Sequence, residues 1–249
     1  MGWSCTSLIS MLLRVLGFLF SIAALFIPEW SAMELRSAQF PSAAVAFAAG
    51  VWSFCIQARK TTSSVYDACF TYFGTSSDVV PLSNSTSTSS LVHSGACHSS
   101  TSFSNSIASL TLIAASDFDL YLHHVCGYWG QVTFALAVLV VVFGLMSILL
   151  SIRRGEHSTW STIANISLCL AIISCVSSVA SWLFVANGLS SSGVSIGVSL
   201  FLQVWAAMLY LASGIAVVAS RHHTRQRRSD PSKDSNPIQS VTSPLQHVI

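Results

Sequence analysis

The sequence predicts a membrane all-α four-helix bundle with a small extracellular antiparallel β-sheet. Three observations predict it. Hydrophobic residues make up 52% of the chain and charged residues only 8%, with a mean hydropathy of +0.65; soluble domains carry roughly a quarter charged residues. Four apolar runs reach the length of about 20 residues that a helix needs to cross the bilayer core. Between the first two runs lies a long segment with strand-like alternation of aromatic and polar residues, and it holds Cys55, Cys69, Cys97 and Cys126.

Taken in order, residues 1–6 precede the first span, 7–27. Its charge, Arg14, is expected to snorkel to the inner face. The run is expected to be an uncleaved anchor rather than a signal peptide, because it is nearly span length and the charge pattern closes with an even number of helices. Residues 28–131 form the outer segment. Within it, 33–40, 43–50, 51–56 and 65–73 read as strands; Trp52, Phe54 and Ile56 share one face of their strand, and Tyr66, Phe70 and Tyr72 share one face of theirs. The Ser/Thr-rich insert 75–101 reads as a surface loop. Spans follow at 132–152, 160–186 and 194–220, joined by the loops 153–159 and 187–193. The polar tail 221–249 lacks apolar periodicity and is expected to be disordered.

Lys and Arg orient the chain. Arg153 and Arg154 follow the second span, and Arg221, Arg225, Arg227, Arg228 and Lys233 follow the fourth. The long outer segment holds only Arg36, Arg59 and Lys60. The expectation is a multi-pass plasma-membrane protein with both termini cytoplasmic and the segment 28–131 outside.

An outer segment faces an oxidising compartment, where disulfides form. Cys55 and Cys69 lie on two strand-like runs joined by a polar turn, so they are the first pair; Cys97–Cys126 would then be the second. Cys55–Cys97 remains a competitor. Cys169 and Cys175, in the third span, read as buried apolar side chains. Asn84-Ser85-Thr86 is a glycosylation sequon in the insert. Asn165-Ile166-Ser167 also matches, but it lies inside a span.

One pattern is more specific. Trp30 follows the first span in Pro28-Glu29-Trp30. Twenty residues on comes Gly50-Val51-Trp52-Ser53-Phe54-Cys55, and Cys69 lies beyond. Each tryptophan alone fits an interfacial belt residue as well as a structural anchor. Together with Gly50 and the cysteines, they resemble the first extracellular segment of the claudin superfamily. Ser181-Trp182 with Ala186-Asn187 in the third span, and Ser199-Leu200-Phe201 with Trp205-Ala206-Ala207 in the fourth, are similar to the corresponding claudin helices. The resemblance covers about residues 7–220.

It implies a disulfide-locked external sheet on a left-handed bundle. The implied function is lateral assembly and cell–cell contact at a junction, as a paracellular barrier or weakly cation-selective path. The implied partners are further copies of the chain or other claudin-like proteins in the same membrane. The superfamily also includes calcium-channel gamma subunits, which imply the alternative of an auxiliary subunit of an ion channel or receptor. Departures from the claudin pattern are the longer outer segment, the wider Cys55–Cys69 gap and the short loop 187–193. No basic residue precedes the second span; His123 and His124 are nearest.

Other chemistries find no support. The formal charge of +2 and the lack of an aromatic-interleaved basic patch argue against nucleic acid. No phosphate loop, nucleophile elbow or metal-ligand spacing occurs, so no enzymatic activity, metal or cofactor is expected. Few ionisable groups lie inside the spans, which argues against a transporter. The outer segment carries six acidic and three basic residues, a field that would mildly favour cations in an intercellular pore, or simply a solvated surface. The basic start of the tail favours anionic lipid. The final Val248-Ile249 suits a PDZ scaffold. Cys5 is a palmitoylation candidate, and Gly2 opens a loose myristoylation pattern.

Overall fold

Among the described residues, four helices carry windows long and apolar enough to cross a membrane: Thr6–Phe26, Tyr128–Ile152, Thr159–Ala186 and Val198–Ser220. The computed structural model describes residues 5–36, 44–60, 63–74, 95–98, 103–105, 107, 111, 113–152, 158–187 and 195–229. The sequon at Asn84, the loop 153–157 and the C-terminal Val248-Ile249 lie outside the described residues.

The elements run α1 (Cys5–Phe26), β1 (Ser31–Arg36), β2 (Ala44–Ala49), β3 (Ser53–Lys60), β4 (Ser63–Thr71), a short 3₁₀ turn (Ala96–His98), α2 (Ala115–Cys126), α3 (Tyr128–Ile152), α4 (Ser158–Ala186), β5 (Ser195–Ile196) and α5 (Val198–Ser229). Helix α1 packs chiefly on α5, and α3 chiefly on α4. Outward-facing leucine, isoleucine and valine, such as Leu12, Leu19, Ile173 and Val218, remain exposed. Such an apolar exterior is what lipid requires, and the architecture fits a four-span membrane fold.

The strands form one antiparallel sheet in the order β4-β3-β2-β1-β5. Alternation along each strand divides its side chains between two faces. Phe47, Phe54, Ile56, Phe70 and Tyr72 are buried on one face, under Phe103, Phe118 and Tyr121. The other face carries the smaller Ala32, Ala46, Ala48, Cys55 and Cys69.

Four expectations change. Helix α2 lies within the segment 28–131, where strands and a loop but no helix were expected; Phe118, Tyr121, Leu122 and Val125 give it a buried stripe at helical spacing. The fourth span starts at Val198 because Ser195–Ile196 pairs with β1 instead. Helix α5 then continues to Ser229, into the segment expected to be disordered. Finally, Arg14 does not snorkel: it is 1% exposed. Its Nε donates to Ser213 Oγ at 3.0 Å, and its Nη1 donates to Ser147 Oγ at 3.0 Å, to the Ser147 carbonyl at 3.3 Å and to Ser151 Oγ. Serines from α3 and α5 supply acceptors inside the bundle, so the guanidinium has no need to reach water.

Candidate functional site

The sheet meets the bundle at residues 27–32, the chain between α1 and β1. Trp30 is fully buried there. Its indole N–H donates to the Ala24 carbonyl in the last turn of α1 at 2.6 Å. Helix termini leave such carbonyls without intrahelical partners. The ring lies edge-to-face with Trp182 of α4, with centroids 5.6 Å apart. Trp182 in turn donates its indole N–H to Ser31 Oγ at 2.9 Å. Two tryptophans from distant parts of the chain thus bind the end of α1, the start of β1 and the end of α4.

Backbone bonds complete the clamp. Trp30 N–H donates to the Ala49 carbonyl at 2.8 Å, Gly197 N–H to the Trp30 carbonyl at 3.0 Å and Ser199 N–H to the Glu29 carbonyl at 3.0 Å. Ser199 Oγ donates to the Ile27 carbonyl at 2.8 Å. Glycine is required on both sides of this strip. A Cβ on Gly50 would fall 2.6 Å from Pro28 Cα, and one on Gly197 would fall 1.9 Å from the Glu29 carbonyl oxygen.

Trp52 behaves differently from Trp30. It is 41% exposed, stacks on Phe26 at 6.3 Å and meets Phe134 edge-on at 4.7 Å. It precedes β3 by one residue and, unlike Phe54 and Ile56, it is not buried. A second aromatic group joins Trp129, Phe184 and His124, with centroid distances of 4.8 and 5.6 Å to Phe184. Partly exposed aromatics at the sheet end of apolar helices match an interfacial belt. The two motif tryptophans therefore divide the roles that the sequence left open: Trp30 anchors, and Trp52 joins the belt.

Both cysteine pairs expected within residues 28–131 are bonded. Cys55 and Cys69 stand directly opposite in the β3–β4 register, with Cα atoms 4.1 Å apart. Cys97 and Cys126, with Cα atoms 5.4 Å apart, tie the 3₁₀ turn to the end of α2. The Cys55–Cys97 competitor is not formed. Of the span cysteines, Cys175 is buried as expected, whereas Cys169 faces outward.

Tyr72 Oη and Tyr121 Oη lie 2.5 Å apart in full burial. Burial pushes both phenols above their ordinary range, and the Tyr121 hydroxyl raises Tyr72 further. They form a neutral link between the residue that follows β4 and helix α2. The small-residue face of the sheet opens instead on a cavity of about 630 Å³, bordered by Glu29, Ala46, Gln57 and Ser195. Among the described residues, no three His, Cys, Asp or Glu side chains come together as a metal site.

Sequence reading missed α2 and its tyrosine link. The signal was present as the 118, 121, 122, 125 apolar spacing. It also missed the serine set around Arg14, which no local pattern announces. No protein-family model matches the sequence, and no curated protein matches it significantly.

Proposed function

We propose that the chain is a claudin-like integral membrane protein of the cell surface, which assembles laterally and mediates cell–cell contact. The observation that carries this reading is the junction just described. A disulfide-tied sheet is held to the ends of α1 and α4 through Trp30, and one sheet face stays open. A rigid sheet with an open face is suited to meeting another protein, because little conformational entropy is lost on binding. The Trp30, Gly50, Trp52, Cys55, Cys69 pattern supports the claudin reading, since each of these residues has a distinct structural task.

In this reading the sheet stands outside the cell, copies of the chain are the first partners, and the open face contributes to a barrier or weakly cation-selective path. The long outer segment and its covering helix α2 favour a second reading, an auxiliary subunit that grips an ion channel or receptor. Expression in fibroblasts without junctions separates the two. Enrichment at borders where both neighbours express the protein supports contact formation; uniform surface labelling with a co-purifying channel supports the second.

A further inference from the structure

We propose that the extension of α5 beyond its apolar span binds acidic phospholipid headgroups. The apolar window ends at Ser220, yet the helix continues to Ser229. The added residues include Arg221, His222, His223, Arg225, Arg227 and Arg228, and no acidic residue precedes Asp230. The sequence alone allowed these charges to sit in a loose tail. Helical continuity instead fixes their height above the span.

At about 1.5 Å per residue, Arg221 to Arg228 lie between about 2 and 12 Å past the apolar edge. The polar layer of a bilayer is about 5–7 Å deep on each side, and the Debye length at physiological salt is about 8 Å. The arginines therefore begin inside the headgroup layer and stay within reach of its field. Helical spacing places positions 221, 225 and 228 on one stripe. Arginine's planar fork bonds phosphate oxygens two at a time. An acidic peptide offers complementary charge too, but the height of the arginines favours lipid.

The test uses the full-length protein in phosphatidylcholine vesicles containing a trace of spin-labelled phosphatidylserine or, separately, spin-labelled phosphatidylcholine. The motionally restricted fraction of each label reports preference. The expected preference for phosphatidylserine is about fivefold at low salt, the ratio for about 1 kcal/mol of juxtamembrane attraction. It should fall towards one in 1 M salt, and below twofold in the triple variant R225Q/R227Q/R228Q. The triple lysine variant should retain most of it. A ratio of one in the wild type, which would point to an acidic protein partner instead, overturns the proposal. So does a ratio that the glutamine variant leaves unchanged.

Discussion

Replacing Trp30 should uncouple the sheet from the bundle, and the geometry sets the size of the effect. Trp30→Ala removes a fully buried indole, and such truncations cost about 3–5 kcal/mol in transfer and cavity terms. That range includes the edge-to-face contact with Trp182, worth about 0.5–1.5 kcal/mol. Trp30→Phe keeps an aromatic ring but loses the bond to the Ala24 carbonyl, for about 1 kcal/mol, plus the volume of the missing ring. The expected order is wild type, then Phe, then Ala, with Ala about 4 kcal/mol below wild type. Cys175 is a free thiol buried between the helices, so its reaction with a maleimide reports opening. The assay is run in a background with Cys5 and Cys169 replaced by Ala, across a denaturant series. An Ala variant within 1 kcal/mol of wild type would refute the claim that Trp30 joins the two parts.

Three further outcomes are expected. Peptide mapping without reduction should recover Cys55–Cys69 and Cys97–Cys126, and removing the first pair, which closes 14 residues of sequence separation, should cost about 3 kcal/mol in the chain-entropy model; a Cys55–Cys97 peptide would contradict the fold. Burial raises the Tyr72 and Tyr121 phenols above their unfolded range, so the folded state holds them neutral. Their contribution should be fully present below about pH 10, and should be lost above it by about 1.4 kcal/mol per pH unit for each phenol that ionises only when unfolded; alkaline unfolding of the Tyr72→Phe/Tyr121→Phe variant should lack that slope. Arg14→Lys should lower stability by about 1 kcal/mol in the thiol assay, because acceptors on two helices suit a fork of donors better than a single ammonium; equal stability would show that the fork is dispensable.

The four spans are legible because a helix in lipid must be predominantly apolar over about 20 residues, a condition each segment meets by itself. The β3–β4 hairpin is legible for a related local reason. Alternation around Phe54, Ile56, Phe70 and Tyr72 defines a buried face, and the placing of Cys55 opposite Cys69 follows from the same register. Arg14 shows where local reasoning stops. Its environment is made by Ser147, Ser151 and Ser213, more than a hundred residues away, and a stretch of α1 taken alone points the charge to water. The start of α5 is a similar case. Ser195 and Ile196 continue the uncharged run of the span in sequence, but the edge of β1 captures them, and Ser195 Oγ donates to the Ala32 carbonyl at 2.7 Å. Helix α2 is different, since its period was present in the sequence but lay within a segment whose cysteines and aromatics suggested strands. The roles of Trp30 and Trp52 are undecidable from residue type, because one ring is buried by Trp182 and the other rests on the outside of α1 and α3.

The whole account depends on which side of the membrane each end of the bundle faces. An epitope placed within residues 75–101 and a second placed after Ser229 can be stained on intact and on permeabilised cells. The account predicts that the first is accessible on intact cells and the second only after permeabilisation. Staining of the second epitope on intact cells, with the first hidden, would place the sheet inside the cell and contradict it.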